Sequence, residues 1–249
     1  MTSTPINAWI TCPHPNPHAK LRLFCLPYAG GGTLSFRTWA AQLPHVEVCP
    51  IQLPGRERRL SEPPFQQLEP LVQTLATALL PHLKHPFALF GHSMGGLIAF
   101  ELARYLRRQH QPQPVHLFIS GCRAPQLPNP NPILHTLPDA DFIQELRRYN
   151  GTPEAVITNA ELMELLLPTL RADFALVEQY IYYPEAPLDC PITIFGGLHD
   201  PIVDPQLLSG WQMHSCQLLQ YLVPGDHFFL HSHAPLLLQT LSAQLAPKV

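Results

Sequence analysis

Charge is scarce in this chain. Asp, Glu, Lys and Arg make up only 13% of its 249 residues, about half the usual share, which excludes a polyacidic or polybasic tail. The formal net charge of −3 leaves no basic footprint for nucleic acid. Cys12, Cys25, Cys49, Cys122, Cys190 and Cys216 lie far apart, with no C-x-x-C pair. Several fall in or beside apolar runs, where a free thiol behaves as a small hydrophobe. No apolar run approaches the ~20 residues needed to span a membrane. The opening residues, Met1-Thr2-Ser3-Thr4-Pro5-Ile6-Asn7, lack the basic start and apolar core of a secretory signal. A reduced, cytoplasmic, soluble monomer is the expectation, without a nucleic-acid or membrane partner.

Hydrophobic residues, by contrast, reach 46%, enough for one large core at this length. The 30 prolines are about 2.5 times the usual share. They are scattered and not repeated, which excludes a low-complexity scaffold. Residues 1–19 read as an irregular arm, because Cys12-Pro13-His14-Pro15-Asn16-Pro17-His18 is too proline-locked for regular structure. Cys12, His14 and His18 carry metal-ligating atoms, but no second ligand pair follows at finger spacing. A solvated tail is expected there, with no metal and no cofactor.

Residues 20–249 read as one α/β domain. Strand-length apolar runs at 21–26, 46–52, 87–90, 116–120, 192–196 and 217–223 alternate with helical patterns at 36–43, 65–83, 97–108, 205–213 and 235–245. Such alternation implies a mostly parallel central sheet with helices on both faces. Residues 129–184 break the pattern. Helical stretches at 140–149 and 160–183 flank Gly151-Thr152-Pro153, and Pro168 should kink or split the second. Leu162, Leu165, Leu166, Leu170, Phe174, Leu176 and Val177 cover much of that helix's circumference. A helix this apolar must be covered or line a cavity. It reads as a helical lid inserted over the mouth of the sheet, with ordinary packing on a sheet face as the alternative.

The most informative motif is Gly91-His92-Ser93-Met94-Gly95-Gly96, set between Phe87-Ala88-Leu89-Phe90 and a helical stretch. Strand, Gly-x-Ser-x-Gly turn and helix form the nucleophile elbow of an α/β-hydrolase. The tight turn leaves no room for side chains at Gly91 or Gly95. It lifts Ser93 to the start of a helix, whose free N–H groups favour developing negative charge.

A serine hydroxyl needs a base and an orienting carboxylate, which follow in the order Ser, Asp or Glu, His. Asp200, in Gly197-Leu198-His199-Asp200, and His227, in Pro224-Gly225-Asp226-His227, both leave apparent strand ends, where α/β ligand crevices lie. Asp204, before Pro205, reads better as a helix N-cap. Asp226 adjoins His227, so in an extended loop its side chain points away from the imidazole. His92, His199, His231 and His233 lack the strand-to-loop position of His227. Two backbone N–H donors complete an oxyanion hole: Met94, and Ala29 in Pro27-Tyr28-Ala29-Gly30-Gly31-Gly32, with Tyr28 as the alternate. The same glycines invite a phosphate-cradle reading, but no Lys-Ser/Thr pair follows as in a P-loop.

Phe24-Cys25-Leu26-Pro27-Tyr28-Ala29-Gly30-Gly31, Leu53-Pro54-Gly55-Arg56, the serine block, Leu170-Arg171-Ala172-Asp173-Phe174 and Gly225-Asp226-His227-Phe228-Phe229-Leu230 together resemble the signature blocks of type II thioesterases. These stand-alone hydrolases accompany nonribosomal peptide and polyketide synthases; medium-chain fatty-acyl thioesterases are relatives. The resemblance spans roughly residues 20–245, and Asp226 departs from the Gly-Gly-His of many members. It implies hydrolysis of acyl thioesters on the phosphopantetheine arm of carrier proteins, with Ser93, Asp200 and His227 as the triad. Oxygen-ester hydrolysis is the competing reaction. Arg56, Arg58 and Arg59 are candidates for docking an acidic carrier or the pantetheine phosphate, with a solvated loop as the alternative.

Overall fold

The structure, a computed structural model, describes residues 4–5 and 7–248. Residues 1–3 and 6, part of the segment read for a secretory signal, lie outside the described residues. Two short strands, β1 (Thr4–Pro5) and β2 (Thr11–Cys12), pair antiparallel, which corrects the expectation of an irregular arm. Trp9, Ile10 and Cys12 are buried, Ile10 bridges Ile51, and Gln52 N–H donates to the Trp9 carbonyl at 2.8 Å. Burial of these apolar side chains outweighs the stiffness of the prolines, of which Pro5 lies within β1 itself and the dense run starts only at Pro13. Cys12 Sγ lies 3.3 Å from Cys49 Sγ, whereas His14 and His18 are exposed. Glu47, beside that thiol pair, is engaged by Arg22 at 2.6 Å. The hydrogen bond with Cys12, together with burial, pushes the Cys49 thiol far above its ordinary value.

The main sheet comprises β3 (Leu21–Leu26), β4 (Val46–Pro50), β5 (Phe87–His92), β6 (His116–Ser120), β7 (Ile192–Gly197) and β8 (Leu218–Val223). Its order is β4-β3-β5-β6-β7-β8, and every pairing is parallel. Period-two alternation divides the strand residues between two cores. Phe24, Leu89, Ile119 and Ile194 join the helices α1 (Leu68–Leu79) and α2 (Met94–Arg108) in one. Leu23, Phe90, Phe118 and Phe195 pack with Trp39 and the last helix on the other face. The helical patterns at 36–43 and 205–213 form 3₁₀ turns, Thr33–Phe36, Trp39–Gln42 and Pro205–His214.

Between β6 and β7 stand α3 (Asp139–Tyr149), α4 (Glu154–Ile157) and α5 (Ala160–Glu178). They gather a third, separate cluster from Leu134, Phe142, Leu146, Met163, Leu170 and Phe174. Asn159 starts α5 by accepting from Leu162 N–H at 3.1 Å. Pro168 sits inside α5 without splitting it. The apolar ring on α5 is not wholly covered either: Leu162 and Leu165 are 40% and 51% exposed, whereas Leu170 and Phe174 are buried. After β8 come α6 (Phe229–Ser232) and α7 (Ala234–Leu245). Among the described residues no helix is long and apolar enough to cross a membrane.

Candidate active site

The chain leaves β3 toward β4 on one side and returns to β5 on the other. The carboxyl ends of β3 and β5 therefore flank the point where strand order reverses, which is where open α/β sheets bind ligands. Both glycines of the elbow are forced. A Cβ on Gly91 would strike the Gly95 carbonyl, and one on Gly95 would strike the Leu26 carbonyl at the end of β3. This close approach sets the start of α2 against the loop that follows β3. Ser93 occupies φ 53°, ψ −117°, a region that non-glycine residues avoid. Its N–H donates to the Ser120 carbonyl at 2.7 Å, which pins the turn to β6.

Asp200 and His227 come together from the ends of β7 and β8. His227 Nδ1 lies 2.7 Å from Asp200 Oδ2, and both residues are buried. The other carboxylate oxygen, Asp200 Oδ1, accepts from the N–H groups of Ile202 at 2.8 Å and Val203 at 3.0 Å. Those bonds fix the aim of the carboxylate. Asp204 caps the following turn through Gln206 N–H at 2.8 Å. Asp226 Oδ1 accepts from Phe228 N–H at 2.9 Å, and its Oδ2 receives Asn150 Nδ2 from the insertion at 3.4 Å. Neither rival acid is bonded to His227.

Ser93 and His227 line one cavity of about 100 Å³, with Ala29, Met94, Leu170 and Phe174 among its other walls. Among the described residues Ser93 Oγ makes no hydrogen bond, and the Ala29 and Met94 N–H groups are also without partners. An unpaired hydroxyl thus shares a cavity with two unpaired donors. His92 packs 5.1 Å from the His227 ring. Its Nδ1 is 2.9 Å from Ser120 Oγ, and its buried Nε2 has no partner. Burial, with the nearby His227, holds His92 well below its ordinary pKa, which favours a neutral His92 ring.

The arginine block folds differently from either sequence expectation. Arg56 and Arg59 are buried, and only Arg58 faces solvent. Arg59 pairs with Glu62 at 2.6 Å, donates to the Gln52 carbonyl at 2.9 Å and lies 4.1 Å over the Trp9 ring. Arg56 forks onto Asp173 of α5, with Nη2–Oδ1 at 2.7 Å and Nη1–Oδ2 at 2.8 Å. Burying a guanidinium requires such a counter-ion, so Arg56 and Arg59 have no free charge for docking. The pair reaches the loop after β3 as well: Gly30 N–H donates to Asp173 Oδ2 at 2.8 Å, and Arg56 Nη1 to the Gly31 carbonyl at 2.9 Å. Thr169 Oγ1 adds a bond to the Gly55 carbonyl at 2.7 Å. Ala29 is therefore held through its neighbours by a helix far away in sequence. The motif blocks containing Arg56 and Asp173 were visible in the sequence, but nothing local linked them.

A six-stranded parallel sheet with a serine elbow after β5 and a histidine–aspartate pair after β7 and β8 defines an α/β-hydrolase. Within that class the chain belongs to the thioesterase family, whose thioesterase-domain model matches residues 21–245. The gramicidin S biosynthesis protein GrsT of Aneurinibacillus migulanus is 47% identical over 98% of both chains. The linear gramicidin dehydrogenase LgrE of Brevibacillus parabrevis is 46% identical, over 95% of this chain and 92% of that one. The solved type II thioesterase BorB, from the borrelidin biosynthetic cluster, superposes with a TM-score of 0.88 at 35% identity, covering 97% and 99% of the two chains. LgrE's redox name is not matched by a dinucleotide motif here. After β3 the turn reads Gly30-Gly31-Gly32-Thr33-Leu34-Ser35, with serine at the third glycine of G-x-G-x-x-G. The chain is a thioesterase.

Proposed function

We propose that Ser93 is the nucleophile, His227 the base and Asp200 the group that orients it, in hydrolysing acyl thioesters carried on the phosphopantetheine arm of synthase carrier domains. The observation that carries this reading is the His227–Asp200 pair at 2.7 Å, in the loops around a cavity lined by both Ser93 and His227. Ser93 Oγ closes on His227 Nε2 when substrate fills the cavity; catalytic hydrogen bonds are often loose without substrate. Ser93 adds to the thioester carbonyl as His227 takes its proton. The tetrahedral oxyanion receives the N–H groups of Ala29 and Met94. His227 returns the proton to the departing thiolate, and water, activated by the same base, releases the acid from acyl-Ser93.

The helical insertion at 129–184 is proposed to cover this chemistry. Leu170, Phe174 and Val177 present an apolar wall to the acyl chain, while Arg56 and Asp173 hold the loop that supplies Ala29. Arg58 is the one arginine of its block still exposed for a carrier or its phosphate. The names of GrsT and BorB support a role beside a peptide or polyketide synthase. The working form is taken to be a cytoplasmic monomer, which sedimentation and cell fractionation check. Purified protein should hydrolyse acyl-loaded carrier proteins with a higher kcat/KM than matched oxygen esters. A preference for the oxygen esters would make it a carboxylesterase, and a preference for fatty-acyl carriers would make it a medium-chain thioesterase.

A further inference from the structure

Most arginines in this protein are neutralised. Among the described residues, Arg22, Arg56, Arg59, Arg104, Arg107, Arg108, Arg147, Arg148 and Arg171 each have a carboxylate within ion-pair distance. Of the remainder, Arg37 and Arg58 are exposed, and Arg123 is half-buried. Arg123 follows β6 and lines the cavity that contains Ser93. Its Nε reaches the Leu127 carbonyl at a long 3.4 Å, and its two Nη groups have no partner among the described residues. The one carboxylate lining that cavity, Glu178, is committed elsewhere. It accepts from Leu134 N–H at 2.9 Å and His135 N–H at 3.0 Å, and lies 2.5 Å from His135 Nδ1.

Desolvating a guanidinium without a counter-ion is unfavourable, and burial lowers the Arg123 pKa from its ordinary value. Leu170, Phe174 and Val177 make one wall of the cavity apolar. Arg123, Asn129 and Asn131 make another polar. Asn131 donates its amide to the Ile202 carbonyl at 3.2 Å, which fixes it in the lining that it shares with Arg123. A planar fork of unused donors at the edge of an apolar chamber matches an oxygen acid, which it grips through two parallel hydrogen bonds.

We propose that Arg123 is a subsite for an anionic oxygen-acid group carried by the thioester substrate. Two parts of the substrate carry that chemistry, a carboxylate on the acyl chain and the phosphate of the carrier arm. The inference rests on Ser93 being the site of thioester hydrolysis, and the test separates the two claims. Full-length wild type, Arg123→Met, Arg123→Gln and Arg123→Lys are assayed on succinyl and butyryl thioesters. Each acyl group is attached either to N-acetylcysteamine, which has no phosphate, or to phosphopantetheine. Thermal melting confirms folding, and Arg123→Gln serves if the methionine variant does not fold.

For a carboxylate subsite, the neutral variants raise KM for both succinyl thioesters roughly 10- to 100-fold, the size expected of a charge-assisted bond. The butyryl thioesters then change by no more than about twofold, and Arg123→Lys recovers part of the loss. A rise confined to the two phosphopantetheine thioesters, whatever the acyl group, identifies the phosphate as the anion. Equal change on all four substrates, or none, overturns the subsite. Failure of wild type to hydrolyse any of the four would instead remove the Ser93 reading beneath it.

Discussion

Ser93, Asp200 and His227 leave the ends of β5, β7 and β8, whereas Leu170, Phe174 and Val177 stand on α5, a helix inserted between two strands. In the floor, local backbone rules leave little freedom. Gly91 and Gly95 admit no side chain, Ser93 is held at positive φ, and two N–H groups fix Asp200. In the cover, position depends on partners distant in sequence. Its fixed point is the buried Arg56–Asp173 pair, 117 residues apart, while Leu162 and Leu165 lie open to solvent. The floor is thus built for chemistry. The cover is tied down by such long-range contacts, among them the pair that touches the loop carrying Ala29.

The largest expected effect lies in the floor. Ser93→Ala should lower thioester turnover by about a thousandfold or more without lowering the melting temperature. Unchanged turnover would move the nucleophile elsewhere. Asp200→Asn should cost on the order of a thousandfold in kcat, because His227 loses its orienting anion. Asp204→Asn removes no contact of His227, and asparagine remains a good N-cap, so its kcat should stay within about threefold. The reverse ranking in steady-state assays would transfer the acid role to Asp204.

The cover should respond more mildly and in a different quantity. Asp173→Asn weakens the fork with Arg56 and the acceptor for Gly30 N–H. We expect kcat to fall roughly tenfold, with KM for a small acyl-cysteamine nearly unchanged. Stability should drop by up to about 3 kcal/mol, from a buried charge left without its partner. A rise in KM alone, measured with equal folded fractions, would make Asp173 a wall of the acyl site and not a support of the oxyanion loop. Smallest of all, Leu165→Gln on the open face of α5 should shift stability by no more than about 0.5 kcal/mol and leave hydrolysis of small thioesters unchanged. A large loss there would show that this face is covered during turnover.

Legibility in the sequence followed the same division. The elbow could be read because Gly-x-Ser-x-Gly has one steric use between a strand and a helix. Asp200 and His227 could be read because each follows an apolar run of strand length. The asparagine cap of α5 and its passage through Pro168 were less visible, since burial of Thr169, Leu170 and Asp173 outweighs the local preference to break. The Arg56–Asp173 fork was hidden for a plainer reason: no periodicity joins a loop and a helix that meet only after the sheet has formed. Arg56 and Arg59 read as surface charges because arginine usually is one. Likewise, Trp9 and Ile10 were masked by the neighbouring prolines, although both side chains are buried.

The most direct measurement is to treat the wild-type protein with a fluorophosphonate, follow loss of acyl-carrier hydrolysis, and map the adduct by peptide mass spectrometry. Hydrolysis should disappear in proportion to labelling, with the adduct on Ser93. Full hydrolysis by protein completely labelled at Ser93, or inactivation with the adduct on another residue, would contradict the account.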